Sequence, residues 1–268
     1  MKFYTNVQAL GNIIRYRGVD NGQRFDERVI YQPTLFVDAR APTGWKNLQG
    51  GDVMPVHFDK MHEARQWIAN RRTLANGTYY GMDNFVSQFV YDEFPGSIDF
   101  DRSQVSVATL DIEVMSDDGF PEAELAQQQV ITISYHNSLD DAYYVWGLDE
   151  YDTSKCNIDG VDPSQIKYKK CDSERSLLMD FLSIWRLHKP DVVTGWYVRI
   201  FDLVYIINRL KLLFGDETAK TISPWNFIKQ RTQFIAGKEI MMYDIAGVQQ
   251  LDYIDLFKKF GYTFGQQE

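Results

Sequence analysis

The chain has 268 residues, 44% hydrophobic and 24% charged, an ordinary globular composition that allows one or two domains, each with its own core. No run of about 18 apolar residues occurs, and the opening Met-Lys-Phe-Tyr-Thr-Asn lacks the apolar centre of a secretory signal; the expectation is a cytoplasmic protein with no membrane partner. The formal charge of −9 sits entirely in the second part, because residues 1–103 hold 12 basic and 12 acidic side chains while residues 104–268 hold 16 and 25. That balance argues against broad electrostatic attraction to nucleic acid, unless bound cations neutralise an acidic site.

Residues 2–8, 12–19 and 23–31 read as strands, with Asp20-Asn21-Gly22 a strong hairpin signal between the last two. Arg15 and Arg17 share one strand face, with Arg24 and Arg28 across the turn. A solvated hairpin face is the expectation there, with contact to a phosphate backbone as the alternative. Residues 60–70 have the spacing of a short amphipathic helix, with Met61, Ala64, Trp67 and Ile68 on its apolar side. His57 and His62 have no partner at ligand spacing and are read as structural. The turn-rich Phe94–Ser103 stretch is the expected boundary, giving domains at 1–103 and 104–268.

The second domain opens on Gln104-Val-Ser-Val-Ala-Thr-Leu-Asp-Ile-Glu-Val114, a β-branched, apolar strand. Alternation puts Asp111 and Glu113 on one face about 7 Å apart, two like charges for which a divalent cation held by oxygen is the simplest relief. A solvated strand end is the plainer alternative. Strands follow at 129–136 and 142–147, and then a polar insertion runs to about residue 170, holding Cys156; with Cys171 it forms neither a disulfide framework nor a zinc pattern. A helix over 173–188 carries Leu177, Leu178, Phe181, Leu182 and Trp185 inward, with Asp172 as its expected N-cap. His188 suits the dipole in its last turn. A short buried strand at 191–196 and a helix from about 201 to 214 complete a helical crossover. The strand after such a crossover runs parallel to the first, which would carry Asp202 towards Asp111 and Glu113 at the carboxyl end of the sheet. A hairpin with arms near 227–235 and 238–246 follows, turning at Gly237.

At Asp111-Ile-Glu113, Asp118-Gly-Phe-Pro-Glu122, Thr194-Gly-Trp196 with Phe201-Asp202, and Leu251-Asp-Tyr-Ile-Asp-Leu-Phe257, the chain resembles the family-B DNA polymerases of T-even-type phages, their cyanobacterial relatives included. The resemblance runs over the whole chain. It implies a mixed α/β (α+β) architecture: a β-rich N-terminal domain, then a ribonuclease-H-like mixed-sheet domain carrying the 3′→5′ proofreading exonuclease, incomplete at its C-terminal end. It further implies two Mg²⁺ or Mn²⁺ ions, with Asp111 bridging both, Glu113 on one and Asp202 on the other. Phe120 would hold the frayed primer 3′ end, Tyr197 and Arg199 would face DNA, and the 227–246 hairpin would separate strands. Single-stranded DNA, RNA at the N-terminal domain, and a C-terminal polymerase chain are the implied partners, in an infected bacterial cell.

The sequence departs from that pattern in three places. The family's fourth acid lies in a Tyr-x-x-x-Asp motif, yet Tyr205, Tyr243, Tyr253 and Tyr262 are followed four positions on by Arg209, Gly247, Phe257 and Gln266. Tyr197 stands where the family usually has Asn, and Arg199 and Ile200 replace small or polar residues. The polymerase palm, fingers and thumb are missing. The expectation is therefore an N-terminal part of a phage polymerase, nearly inactive alone and completed by a second chain from a split gene, with a piece cut from one longer polymerase chain as the alternative. The alternatives are a non-catalytic nucleic-acid-binding module with vestigial acids, and an unrelated metal hydrolase on the same fold.

Overall fold

The computed structural model describes residues 1–116, 119–235 and 237–261. Asp118 of the Asp-Gly-Phe-Pro-Glu stretch, Tyr262 and Gln266 lie outside them. The chain divides into two compact units, Met1–Phe100 and Asp101–Glu268.

In the first unit, β1 (Lys2–Leu10), β2 (Ile13–Asp20) and β3 (Gln23–Ile30) form an antiparallel meander. Asn21 (φ +49°) and Gly22 (φ +82°) make its second turn, the left-handed pair that Asn-Gly accepts without strain. Two elements unforeseen from the sequence follow, the antiparallel pair β4 (Thr34–Asp38) and β5 (Val53–His57). Helix α1 (Met61–Arg72) buries Met61, Ala64 and Ile68. A further unforeseen helix, α2 (Phe85–Glu93), starts where the Asn84 side chain accepts from Ser87 N, and buries Phe85 and Phe89. These meet Ile14, Tyr16, Tyr31 and Leu35 in one core. The expected solvated face is formed only in part: Arg24 and Arg28 are exposed, whereas Arg17 is buried and the half-buried Arg15 pairs with Asp26 at 2.9 Å.

The second unit is built on a six-stranded mixed sheet. Its strands are β6 (Val107–Val114), β7 (Val130–Asn137), β8 (Ala142–Gly147), β9 (Ile166–Lys170) and β10 (Val192–Gly195), the last two separated by helix α3 (Glu174–His188). Helices α4 (Asp202–Phe214) and α5 (Asp216–Lys220), the hairpin β11 (Ile228–Ile235)–β12 (Lys238–Ile245), the sixth strand β13 (Gln249–Asp252) and helix α6 (Tyr253–Phe260) follow. The spatial order is β13-β10-β6-β7-β8-β9. Strands β6, β7 and β8 are antiparallel neighbours, whereas β10 runs parallel to both β6 and β13, and β9 parallel to β8.

The expected crossover is present, since α3 connects the sheet back to β10 beside β6. Ala108, Leu110 and Ile112 of β6 enter one core with Leu177, Phe181 and Trp185 of α3 and Leu203, Ile206, Ile207 and Leu210 of α4. Each of these large side chains, moved out of water, contributes about 1.5–3 kcal/mol. Two details differ from expectation. Ser173, not Asp172, caps α3, because its hydroxyl and that of Ser176 form a reciprocal capping box. The polar insertion ends in strand β9, whose lysines suit the sheet edge it occupies. Among the described residues, no helix is long and apolar enough to cross a membrane.

Candidate active site

Alternation along β6 sends Thr109, Asp111 and Glu113 to the exposed side of the sheet. The neighbour β10 can lie close because its last residue is Gly195, where a Cβ would meet the Leu110 carbonyl oxygen at 2.5 Å. From there the chain crosses residues 196–201 and enters α4 at Asp202. Tyr197 in that loop holds φ +62°, the left-handed region that a residue with a Cβ rarely adopts. Asp252 holds the loop in place: its carboxylate accepts from Tyr197 N and Arg199 N, both at 3.1 Å. The same carboxylate caps α6 through Ile254 N, also at 3.1 Å.

Asp202 is not an N-cap; Phe201 occupies that position without a side-chain bond. Freed from capping, the Asp202 carboxylate reaches the first strand, where Oδ1 accepts from Ile112 N at 3.0 Å. Asp202 is only 3% exposed. Burial, and next the negative charge of Asp111, push its carboxyl up to about 7, and Asp252 adds to the same effect. Hydrogen bonds from its own N–H and that of Ile112 pull downward and are outweighed. Asp111 is open to solvent on its strand, yet loss of surrounding water still raises its carboxyl above the usual range. Among the described residues no cation offsets either carboxylate.

Both acids line a groove of about 710 Å³ whose other walls are Phe120, Trp196, Tyr197, Phe201 and the start of β12, Lys238–Met241. The Phe120 ring is 84% exposed and lies 5.5 Å from that of Phe201. Of the described lining residues, five are acidic and Lys238 alone is basic, an arrangement that repels an anionic chain until cations enter.

The structure thus brings together Asp111, Asp202, Phe120 and Tyr197 from three separate stretches. Glu113 shares Asp111's strand face but is not among the groove's lining residues, and no group of three or more His, Cys, Asp or Glu is gathered as metal ligands among the described residues. Arg199 is turned elsewhere: its guanidinium pairs with Asp255 at 3.3 Å. Asp252 is the residue sequence reading passed over. Its place just before a helical run was a capping signal, but its grip on a loop 55 positions away was not readable. Two carboxylates left mutually repelling at a groove fit a hard divalent cation bound through oxygen.

The chain thus presents a mixed sheet with acids from its strand β6 and from the start of helix α4 facing one groove. It belongs to the DNA polymerase family B exonuclease-domain family, whose sequence model matches residues 88–264. Over 98% of its length the chain is similar to two DNA-directed DNA polymerases, at 33% identity in Enterobacteria phage T4 and 35% in Escherichia phage RB69. It is also 26% identical over 53% of its length to the DNA polymerase catalytic subunit of Alcelaphine herpesvirus 1. The chain spans 31% of the length of each phage relative.

Proposed function

We propose that the second unit is a metal-dependent 3′→5′ exonuclease that shortens a single-stranded DNA 3′ end. The observation that supports this most is the pair Asp111 and Asp202, brought to one groove with no basic side chain among the described residues offsetting them, in a chain of this family. Asp111 and Asp202 would hold Mg²⁺ or Mn²⁺, with Glu113 as the third carboxylate one strand step away. Held there, such ions would make an attacking water more acidic and would stabilise the charge that develops at phosphorus and on the leaving oxygen. The protein's own part is positional. Ile112 N–H and the buried setting fix the Asp202 carboxylate, Asp252 fixes the loop before it, and the exposed Phe120 ring offers a face on which a terminal base can stack. In this reading residues 1–103 are the N-terminal domain of a phage replicative polymerase, and the unit works with that enzyme's C-terminal polymerase region.

The deciding experiment follows a 5′-labelled single-stranded oligonucleotide with Mg²⁺ or Mn²⁺, with and without the polymerase region added in trans. A ladder shortening from the 3′ end, absent in Asp111→Asn and Asp202→Asn, supports the proposal; no ladder under any of these conditions overturns it. The lack of three gathered ligands among the described residues favours a second reading, a DNA-binding module with vestigial acids. It requires that Mn²⁺ bind wild type and Asp111→Asn alike.

A further inference from the structure

Behind the carboxylates the groove has a second layer of construction. Helix α4 directs a row of polar side chains at the segment that follows Phe120. Tyr205 Oη donates to the Gln128 carbonyl at 2.7 Å, and Asn208 Nδ2 donates to those of Ala123 and Glu124 at 3.0 and 3.2 Å. Arg209 Nη1 donates to Ala126 and Gln127 at 3.0 and 2.8 Å. Asn208 also faces the other way. Its Oδ1 accepts from the hydroxyl of Tyr243, on β12, at 2.7 Å. Lys211 Nζ, one helical turn along, donates to that hydroxyl at 2.8 Å and sits 4.4 Å from the ring centre. The ring of contacts closes where Met241 N donates to Glu124 Oε1 at 3.3 Å. Ala123, Glu124 and Met241 all line the groove, whereas Asn208 and Tyr243 stand behind it.

We propose that Asn208 and Tyr243 are positioning residues that couple the β11–β12 hairpin to the Phe120 segment and thereby set the width offered to a single-stranded DNA end. The identity of the ligand rests on the exonuclease reading above; the coupling rests on the contacts alone. An amide is suited to this place, because one of its ends donates to two carbonyls while the other accepts from a hydroxyl. A carboxylate would repel the carbonyls, and an apolar side chain would take this donor from both of them and leave the Tyr243 hydroxyl only the more distant Gln230 Oε1, at 3.4 Å, to donate to. Tyr243 is 2% exposed, so its hydroxyl has little water to turn to, and a linked buried network transmits the loss of one member to the others. Removing the hydroxyl breaks the polar link between the hairpin and α4, leaves their apolar packing in place, and, through Asn208, loosens a segment that Tyr243 never touches.

The test compares wild type with Tyr243→Phe, which keeps the ring, and Asn208→Ala, each in the full chain. Backbone amide exchange is the first readout. The reporters are Leu125 N and Ala126 N, both bonded to the Glu122 carbonyl. Tyr243→Phe should speed their exchange about three- to tenfold, the worth of one net hydrogen bond, together with exchange in β12. Faster exchange confined to β12 overturns the coupling. Kinetics with Mn²⁺ and a single-stranded oligonucleotide is the second readout. KM should rise about three- to tenfold with kcat within about twofold, as expected when binding and not the chemical step is disturbed. An equal fall in kcat and kcat/KM in both variants overturns the positioning role. If wild type cuts no DNA with either cation, even with the polymerase region added, the exonuclease reading fails while the exchange result still decides the coupling.

Discussion

Helices α3 and α4 pack on the same sheet, and each begins with a buried acid, Glu174 and Asp202. The helix dipole favours a negative charge in both places, so the dipole does not distinguish them. Their partners do. Glu174 meets Arg209 in a two-pronged ion pair, 2.7 Å on each prong, and its Oε1 also accepts from Val130 N at 2.8 Å. Asp202 meets two backbone N–H groups, its own and that of Ile112, and two further carboxylates, Asp111 and Asp252, and its carboxyl is pushed up to about 7. Buried charge that serves the fold is neutralised within the chain; buried charge at the groove is left for something else to neutralise.

The contrast can be broken most severely at the groove. Asp111→Asn or Asp202→Asn should lower 3′→5′ degradation of a labelled oligonucleotide by about 10³-fold or more, the usual result of removing one member of a catalytic set. Activity within tenfold of wild type would remove both acids from the chemistry. On the structural side, Arg209→Met strands Glu174 as an uncompensated buried charge. It should cost about 3–5 kcal/mol in urea unfolding, with part recovered in the Glu174→Gln, Arg209→Met double variant.

Titration sharpens the same comparison. Because the folded-state pKa of Asp202 is raised, the folded form holds its proton longer than the unfolded chain does. Its contribution is intact at acid pH and is lost as pH climbs from the ordinary carboxylate range towards about 7. Relative to wild type in chelator, Asp202→Asn should therefore gain stability over that window, at most about 1.4 kcal/mol per pH unit; parallel curves from pH 4 to 8 would contradict this. Excess Mn²⁺ should stabilise wild type and leave the variant unmoved. The smallest effect is expected at His188, whose imidazole stacks on Tyr135 and lies 3.5 Å from Asp140. Burial holds its pKa below the usual value, outweighing the pull of Asp140. Its contribution is full above about pH 6.5 and declines as pH falls. His188→Gln should flatten that acid limb by no more than about 1 kcal/mol, as measured by melting temperature against pH.

Much of the frame was legible because it obeys local rules. The apolar spacing of Leu177, Leu178, Phe181, Leu182 and Trp185 specified α3, and the crossover rule placed β10 beside β6 and Asp202 near Asp111. Elements were missed where local signal is weak. Strand β9 reads Ile-Lys-Tyr-Lys-Lys and β13 reads Gln-Gln-Leu-Asp; both are short edge strands whose pairing comes from a neighbour. At the site, strand alternation put Glu113 on Asp111's face but could not say that the groove lies towards Asp111 alone. Arg17, read as part of a solvated surface, is buried. Charge by itself does not reveal whether the packed elements around a strand will cover it.

The grip of α4 on residues 123–128 has a consequence for how this protein can vary. Tyr205, Asn208 and Arg209 reach for carbonyl oxygens there, which every amino acid carries. The path of that segment is therefore encoded in good part on the helix, while its own Ala126 is buried in the core and its Glu124 carboxylate holds Met241 N. Leu125 and Gln127, both exposed, are the positions where a substitution can retune what the segment presents without dislodging it, whereas a single change on α4 alters the path for any sequence placed there. Diversification aimed at Leu125 and Gln127, with α4 held constant, is the route along which this surface can be redesigned.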